Sequence, residues 1–205
     1  MQTNNSTLAH ADLELDSSGG NPVTWIVFAL LGVVLAGLLY PAVTTLIGQT
    51  LFPVQARGSL IERNGTVVGS SLVGQSFSGE RFFIGRPSSA GKGYDPTSAS
   101  GSNAAPSNPA LIERATATSQ AIATREGVSP EQIPVDLIAA SGSGLDPHIS
   151  PEAAAIQIPR VARARGISED QVRAIVARYT EAAVFGILGQ PRVNVLEVNL
   201  GLEQR

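Results

Sequence analysis

The chain has 205 residues, 43% of them apolar and only 15% charged, with no cysteine and a mean hydropathy of +0.13. Soluble domains carry about 25% charge, so this composition fits neither a disordered chain nor an ordinary soluble enzyme. The absence of cysteine excludes a disulfide framework, a thiolate zinc site and a cysteine nucleophile.

The net charge of -3 is uneven. Asp12, Glu14 and Asp16 supply three negatives in an acidic tail over residues 1–22, and the other fourteen acids balance all fourteen bases. A neutral remainder with Lys92 as its single lysine has no electrostatic footprint for a phosphate backbone, which argues against nucleic-acid binding.

No Asp, Glu, Lys or Arg occurs in residues 17–56. Within that gap Val23 to Ile47 is apolar apart from Thr24, Thr44 and Thr45, longer than the ~20 residues that cross a bilayer core. Residues 23–48 are therefore read as a transmembrane helix. Trp25 and Tyr40 stand near its ends, where rings favour the headgroup level, and Pro41 is expected to kink or end it. A cleavable signal peptide would need a basic leader, and residues 1–22 contain no Lys or Arg. A buried core helix would be shorter. Gly32 and Ala36 form a small-xxx-small pair suited to close approach of another helix. Arg57 and Arg63 follow the span and no basic residue precedes it, a small bias that alone would place the C-terminal part in the cytoplasm.

Residues 54–205 read as one α+β domain with a small mixed or antiparallel sheet and about three helices. Asn64-Gly65 between two β-branched runs predicts a hairpin. That turn reading outweighs the glycosylation pattern Asn64-Gly65-Thr66. Gly85 to Pro109 has no apolar period and predicts a long functional or solvated loop. Asn108-Pro109 opens a helix that ends at Gly127, and Ser129-Pro130-Glu131-Gln132 opens a short turn stopped by Pro134. Val135 to Ala140 reads as a strand. Ser150-Pro151-Glu152 starts a second helix toward Gly166, bent at Pro159, and Ser168 to Gln171 is a capping box for a third, with Val172, Ile175, Val176, Tyr179 and Ala183 on its apolar face. Val193 to Leu202 alternates and reads as a strand.

Catalytic chemistry is sparse. Gly85 and Gly91-Lys92 have the wrong spacing for a phosphate-cradling loop, and Gly93 stands where Ser or Thr is required. A hydrolytic triad would have to use His148 with Asp146 and one of Ser141, Ser143 or Ser150, because His10 lies in the acidic tail. Asp-Pro-His before Ser-Pro reads instead as a stiff loop in which Asp146 bonds neighbouring amides. Two histidines without cysteine give no convincing zinc site. Ser141, Gly142, Ser143 and Gly144 admit a nucleotide-loop reading that lacks a helix-opening lysine. A membrane-anchored hydrolase and a stand-alone binding module are the competing readings.

The run Pro134-Val135-Asp136-Leu137-Ile138-Ala139-Ala140-Ser141-Gly142-Ser143-Gly144-Leu145-Asp146-Pro147-His148-Ile149-Ser150-Pro151 closely resembles the signature of the KdpC family of potassium-uptake subunits. Tyr40-Pro41, Gly69-Ser70 with Gly74-Gln75, Phe82-Phe83, Arg86-Pro87-Ser88, Tyr94, Ser100 to Asn103, Asn108-Pro109, Arg160-Val161-Ala162 and Pro191 to Leu196 match in order. Ala104-Ala105 departs from the family's bulkier pair. The resemblance implies a single-pass protein of the bacterial cytoplasmic membrane with an extracytoplasmic domain and no catalytic residues or cofactor of its own. Its partners would be a channel-like potassium-translocating subunit, a P-type ATPase subunit and a small helical peptide, with ATP and potassium handled by the complex. It further implies help in assembly and a chaperone-like rise in the ATPase subunit's ATP affinity. Contact candidates are Gly32, Ala36, Tyr40 and Pro41 on the span, and Tyr94, Ser102, Asn103, Asp146 and His148 in the two polar loops, where turn chemistry presents polar atoms on a scaffold.

Overall fold

The computed structural model describes residues 21–204, so residues 1–20 of the acidic tail, His10 among them, lie outside the described residues. The chain divides into two units, one ending at Ala56 and one starting at Arg57.

The first unit is one apolar helix, α1 (Pro22–Leu51), followed by a single turn, Pro53–Ala56. Asn21 caps it by accepting a hydrogen bond from the Val23 amide at 3.0 Å, and Pro22 occupies the first helical position, where its missing N–H costs nothing. At 1.5 Å per residue the helix is roughly 45 Å long, and none of its side chains is buried. That length and exposure suit a bilayer span. Pro41 does not end it. The chain widens into a π-helical stretch, Val33–Leu39, immediately before Tyr40-Pro41, and continues as α-helix to Leu51. A local π adjustment is one way a membrane helix accommodates the ring and missing N–H of proline.

The second unit begins with the expected hairpin, β1 (Leu60–Arg63) and β2 (Thr66–Ser70), paired antiparallel through a turn in which Asn64 and Gly65 have φ of 49° and 76°. Both values are those of the left-handed turn that matches strand twist. A bulge opposite Ile61 and Glu62 frees the Val68 carbonyl, which accepts from Gln75 Nε2 at 3.0 Å. The second sheet has three short antiparallel strands, β3 (His148–Ile149), β4 (Thr180–Glu181) and β5 (Arg192–Asn194), in the order β3-β5-β4. Both sheets are antiparallel rather than mixed.

Helix α2 (Pro109–Glu126) has its expected ends, with Asn108 accepting from the Ala110 amide and Gly127 closing it at φ 70°. The expected single helix from Ser150 is two, α3 (Pro151–Ala155) and α4 (Ile158–Arg165), because Pro159 fits only the first turn of a new helix. Helix α5 (Glu169–Arg178) carries the Ser168/Gln171 capping box and buries Val172, Ile175 and Val176, but it stops before Ala183.

Two strand expectations are corrected. Val135–Leu137 is a 3-10 turn, not a strand, with Val135 left 74% exposed and Leu137 buried. The turn aims Asp136 at Ser150, whose amide and hydroxyl it accepts at 2.7 and 3.1 Å, and Ser150 in turn caps α3. Beyond Asn194 the expected strand is helix α6 (Val195–Leu202). Asn194 accepts from the Glu197 amide at 3.1 Å, and Val195, Val198, Asn199 and Leu202 are buried at helical spacing. A local cap and a 3.6-residue period outweigh the β-propensity of valine here.

The core is built from these helices around Phe83, Val161, Val172, Val193 and Val198. Segment 80–84 crosses it outside either sheet, and side chains satisfy its backbone instead. Asn199 accepts from the Phe83 amide at 2.8 Å and donates to its carbonyl at 2.9 Å. Gln157 does the same for Ile84 at 2.8 and 3.1 Å. Arg160 donates to the carbonyls of Glu80 and Phe82 and to Gln157, while its Nε meets the fully buried Glu126 carboxylate at 2.9 Å. Arg165 donates to the Arg81 and Leu202 carbonyls and lies over the Phe82 ring. Buried backbone groups need partners, and here four polar side chains replace a missing strand.

Candidate functional site

The long loop expected from Gly85 to Pro109, with its polar stretch around Tyr94 to Asn103, interlocks with the polar loop around Ser141 to His148. Ser88 lies at the centre. Its hydroxyl donates to the Gly144 carbonyl at 2.6 Å and accepts from the Tyr94 and Ala90 amides at 2.7 and 3.2 Å. Tyr94, held at φ 55°, turns its ring inward and donates its hydroxyl to the Arg86 carbonyl at 2.6 Å. Three glycines make the approach possible. A Cβ on Gly74 would lie 2.7 Å from both the Asp146 carbonyl and the Tyr94 ring, one on Gly101 would lie 2.8 Å from the Gly142 carbonyl, and one on Gly144 would lie 2.6 Å from the Ser100 carbonyl.

Asp146 ties the loops electrostatically. Its carboxylate accepts from Arg86 Nη1 at 2.9 Å and from the His148 amide at 3.0 Å, and the His148 Nδ1 lies 3.4 Å away. Burial alone would raise this carboxyl, but hydrogen bonds from the His148 side chain and backbone and the Arg86 charge hold it below its ordinary 3.8. Burial and then the Asp146 charge push the Tyr94 hydroxyl above 10.0, against the pull of Arg86. A depressed native carboxyl contributes stability above its unfolded value and loses it as pH falls through the native one. Thermal stability of the full chain is therefore expected to drop below about pH 3.8, and Asp146→Asn to flatten that acid limb. An unchanged acid limb in the variant would remove Asp146 from this role.

Arg86, Asp136, Asp146, His148, Ser150 and Gln190 to Arg192 line a cleft of about 560 Å³, with the exposed Val135 at its edge. Of the serines a hydrolytic triad could use, Ser150 caps α3 and bonds Asp136, and Ser143 accepts from the Leu145 amide at 3.1 Å. The Ser141 to Gly144 run opens no helix, since α3 starts only at Pro151, and its Gly144 amide already bonds the Ser141 carbonyl. Gly144 serves loop-on-loop contact, whereas a Cβ on Gly142 would meet nothing within 4 Å. Ser102 and Asn103 remain on the surface, Asn103 at φ 48°, whereas Tyr94, Asp146 and His148 are half-buried. Gly32, Ala36, Tyr40 and Pro41 lie exposed on α1. Among the described residues no group of three or more acids and histidines is placed to hold a metal ion.

One surface feature lies outside the sequence expectations. Val184 to Leu188 form a tight turn closed by amide bonds between Val184 and Leu188 at 2.9 and 3.0 Å, presenting Phe185 and Ile187 almost wholly to solvent. Ala183 precedes that turn instead of belonging to α5. The signal that could have found it is an uncharged Ala-Val-Phe-Gly-Ile-Leu-Gly run in which Gly186 and Gly189 punctuate the apolar residues with turn positions.

Among the described residues, one apolar helix of spanning length precedes an α+β domain with interlocked polar loops, the make-up of a single-pass membrane protein. Residues 23–204 match the family model described as KdpC, K+-transporting ATPase, c chain. The chain is 50% identical over 181 residues to a potassium-transporting ATPase KdpC subunit of Acidobacterium capsulatum, covering 88% of this chain and 96% of the relative. Similar subunits of Shewanella putrefaciens and Xanthomonas oryzae pv. oryzae are 52% and 53% identical, covering 82% and 87% of this chain and 83% of each relative. The chain belongs to the KdpC family.

Proposed function

We propose that this chain is a non-catalytic accessory subunit of an ATP-driven, high-affinity potassium transport complex in a bacterial cytoplasmic membrane. The carrying observation is near full-length identity of about half to KdpC subunits. The domain would lie outside the cytoplasm, near the external potassium entrance, with no cofactor of its own. Its partners would be a channel-like subunit, a P-type ATPase subunit and a small helical peptide. A domain outside the membrane cannot meet cytoplasmic ATP, so a rise in ATP affinity would be transmitted through the complex as a coupling free energy. The interlocked loops support this reading, because their polar atoms are spent holding a shape rather than poised on a reacting centre.

The test is potassium-stimulated ATPase activity of the complex purified with and without this chain. Stimulation and fixed-ratio copurification are expected only when the chain is present. Full activity without it, or a reporter placing the C-terminus in the cytoplasm, would count against the proposal.

A further inference from the structure

The turn at Val184 to Leu188 is the most exposed apolar feature of the folded domain, with Phe185 88% and Ile187 81% accessible. Contiguous exposed apolar surface rimmed by polar groups marks an interaction site. The tip is built rather than loose. Besides the paired Val184 and Leu188 amides, the Gly186 amide donates to the Ala183 carbonyl at 2.9 Å, and Glu181 and Arg192 pair at its base. Phe185 is held at φ 55°, a conformation costly for a bulky side chain and retained where the surroundings impose it.

Resting on the assembly reading above, we propose that this tip is a knob that seats in an apolar socket on another subunit of the same ATPase complex. Two observations favour a protein socket over lipid. Lipid tails conform to any apolar shape, so a turn held in a strained backbone conformation gains nothing there, whereas a preformed pocket rewards a backbone ordered before binding. Residues 182–191 also contain no Trp, Tyr, Lys or Arg, the residues that anchor segments at a bilayer surface, and the adjacent Arg192 is paired with Glu181. The tip further runs through Gln190 and Pro191 into the cleft lined by Arg86, Asp146 and His148, which gives an apolar centre with a polar rim, the anatomy of a subunit interface.

The experiment uses the full chain, affinity-tagged and co-expressed with the rest of the transport complex. Phe185→Asp with Ile187→Asp is expected to lower recovery of the other subunits at least about tenfold, with the thermal transition of the purified chain shifted by no more than a few degrees. A photo-crosslinking benzoylphenylalanine at position 185 is expected to give an adduct whose mass is this chain plus one of those subunits. Adducts with lipid, or wild-type recovery by the double variant, would overturn the knob alone. If the wild-type chain itself recovers no other subunit, the assembly reading fails with it.

Discussion

Replacing Arg160 with alanine is expected to destabilise the domain by about 2–4 kcal/mol, because the buried Glu126 carboxylate loses its buried partner and keeps only the more exposed Arg125, whose Nε lies 2.7 Å away. The Glu126 side chain is wholly inaccessible and that of Arg160 is 3% exposed, so water cannot take over. The substitution also strips donors from the Glu80 and Phe82 carbonyls, each on a segment without a strand neighbour. For a domain of this size the thermal midpoint should fall on the order of 10 °C, measured on the full chain in detergent. The double variant Arg160→Met with Glu126→Gln should recover much of the loss, since it removes the half-satisfied buried carboxylate and leaves Arg125, 27% exposed, to water. A loss under about 1 kcal/mol in the single variant would show that the pair is not what holds segment 80–84 in place.

This lacing also marks where the sequence stops being legible. Helix ends could be read because their determinants are local: Asn108 with Pro109, Ser168 with Gln171, and Gly127 each act within one turn. The hairpin turn at Asn64-Gly65 is equally local. Arg160 bonding Glu80, 80 positions away, or Asn199 bonding Phe83, 116 away, leaves no periodic trace. The two wrong strands have the same origin. Val135 to Ala140 is apolar enough for a strand, but Asp136 is recruited by Ser150 fourteen residues on. Val193 to Leu202 carries both an alternating and a helical period, and the Asn194 cap, followed three residues later by Glu197, decides for the helix. The loops were legible as a polar, turn-rich surface, and the bonding of Asp146 to the His148 amide follows its predicted role. Their mutual clasp was not, because it depends on glycines chosen for what lies opposite them.

Gly144→Ala isolates that clasp and is expected to cost about 2–4 kcal/mol, combining left-handed strain with overpacking. At φ 70° an alanine is disfavoured even in open space, and here its Cβ would also sit 2.6 Å from the Ser100 carbonyl and 2.7 Å from the Ala90 amide. Both are backbone atoms of the opposing loop, and they cannot swing aside as a side-chain end could. The same substitution at Gly127 provides the control: its φ is also 70°, and an added Cβ there meets nothing within 4 Å. Gly127→Ala should therefore cost only about 1 kcal/mol, the left-handed term alone. The difference between the two variants measures the loop contact directly, by thermal or urea unfolding of the full chain. Equal losses would mean that the loops part without resistance and that Ser88 bonding to Gly144 is incidental. If the difference appears as expected, recovery of the other subunits with Gly144→Ala should fall further than with Gly127→Ala, because the cleft around Asp146 and His148 keeps its shape only while the loops stay joined.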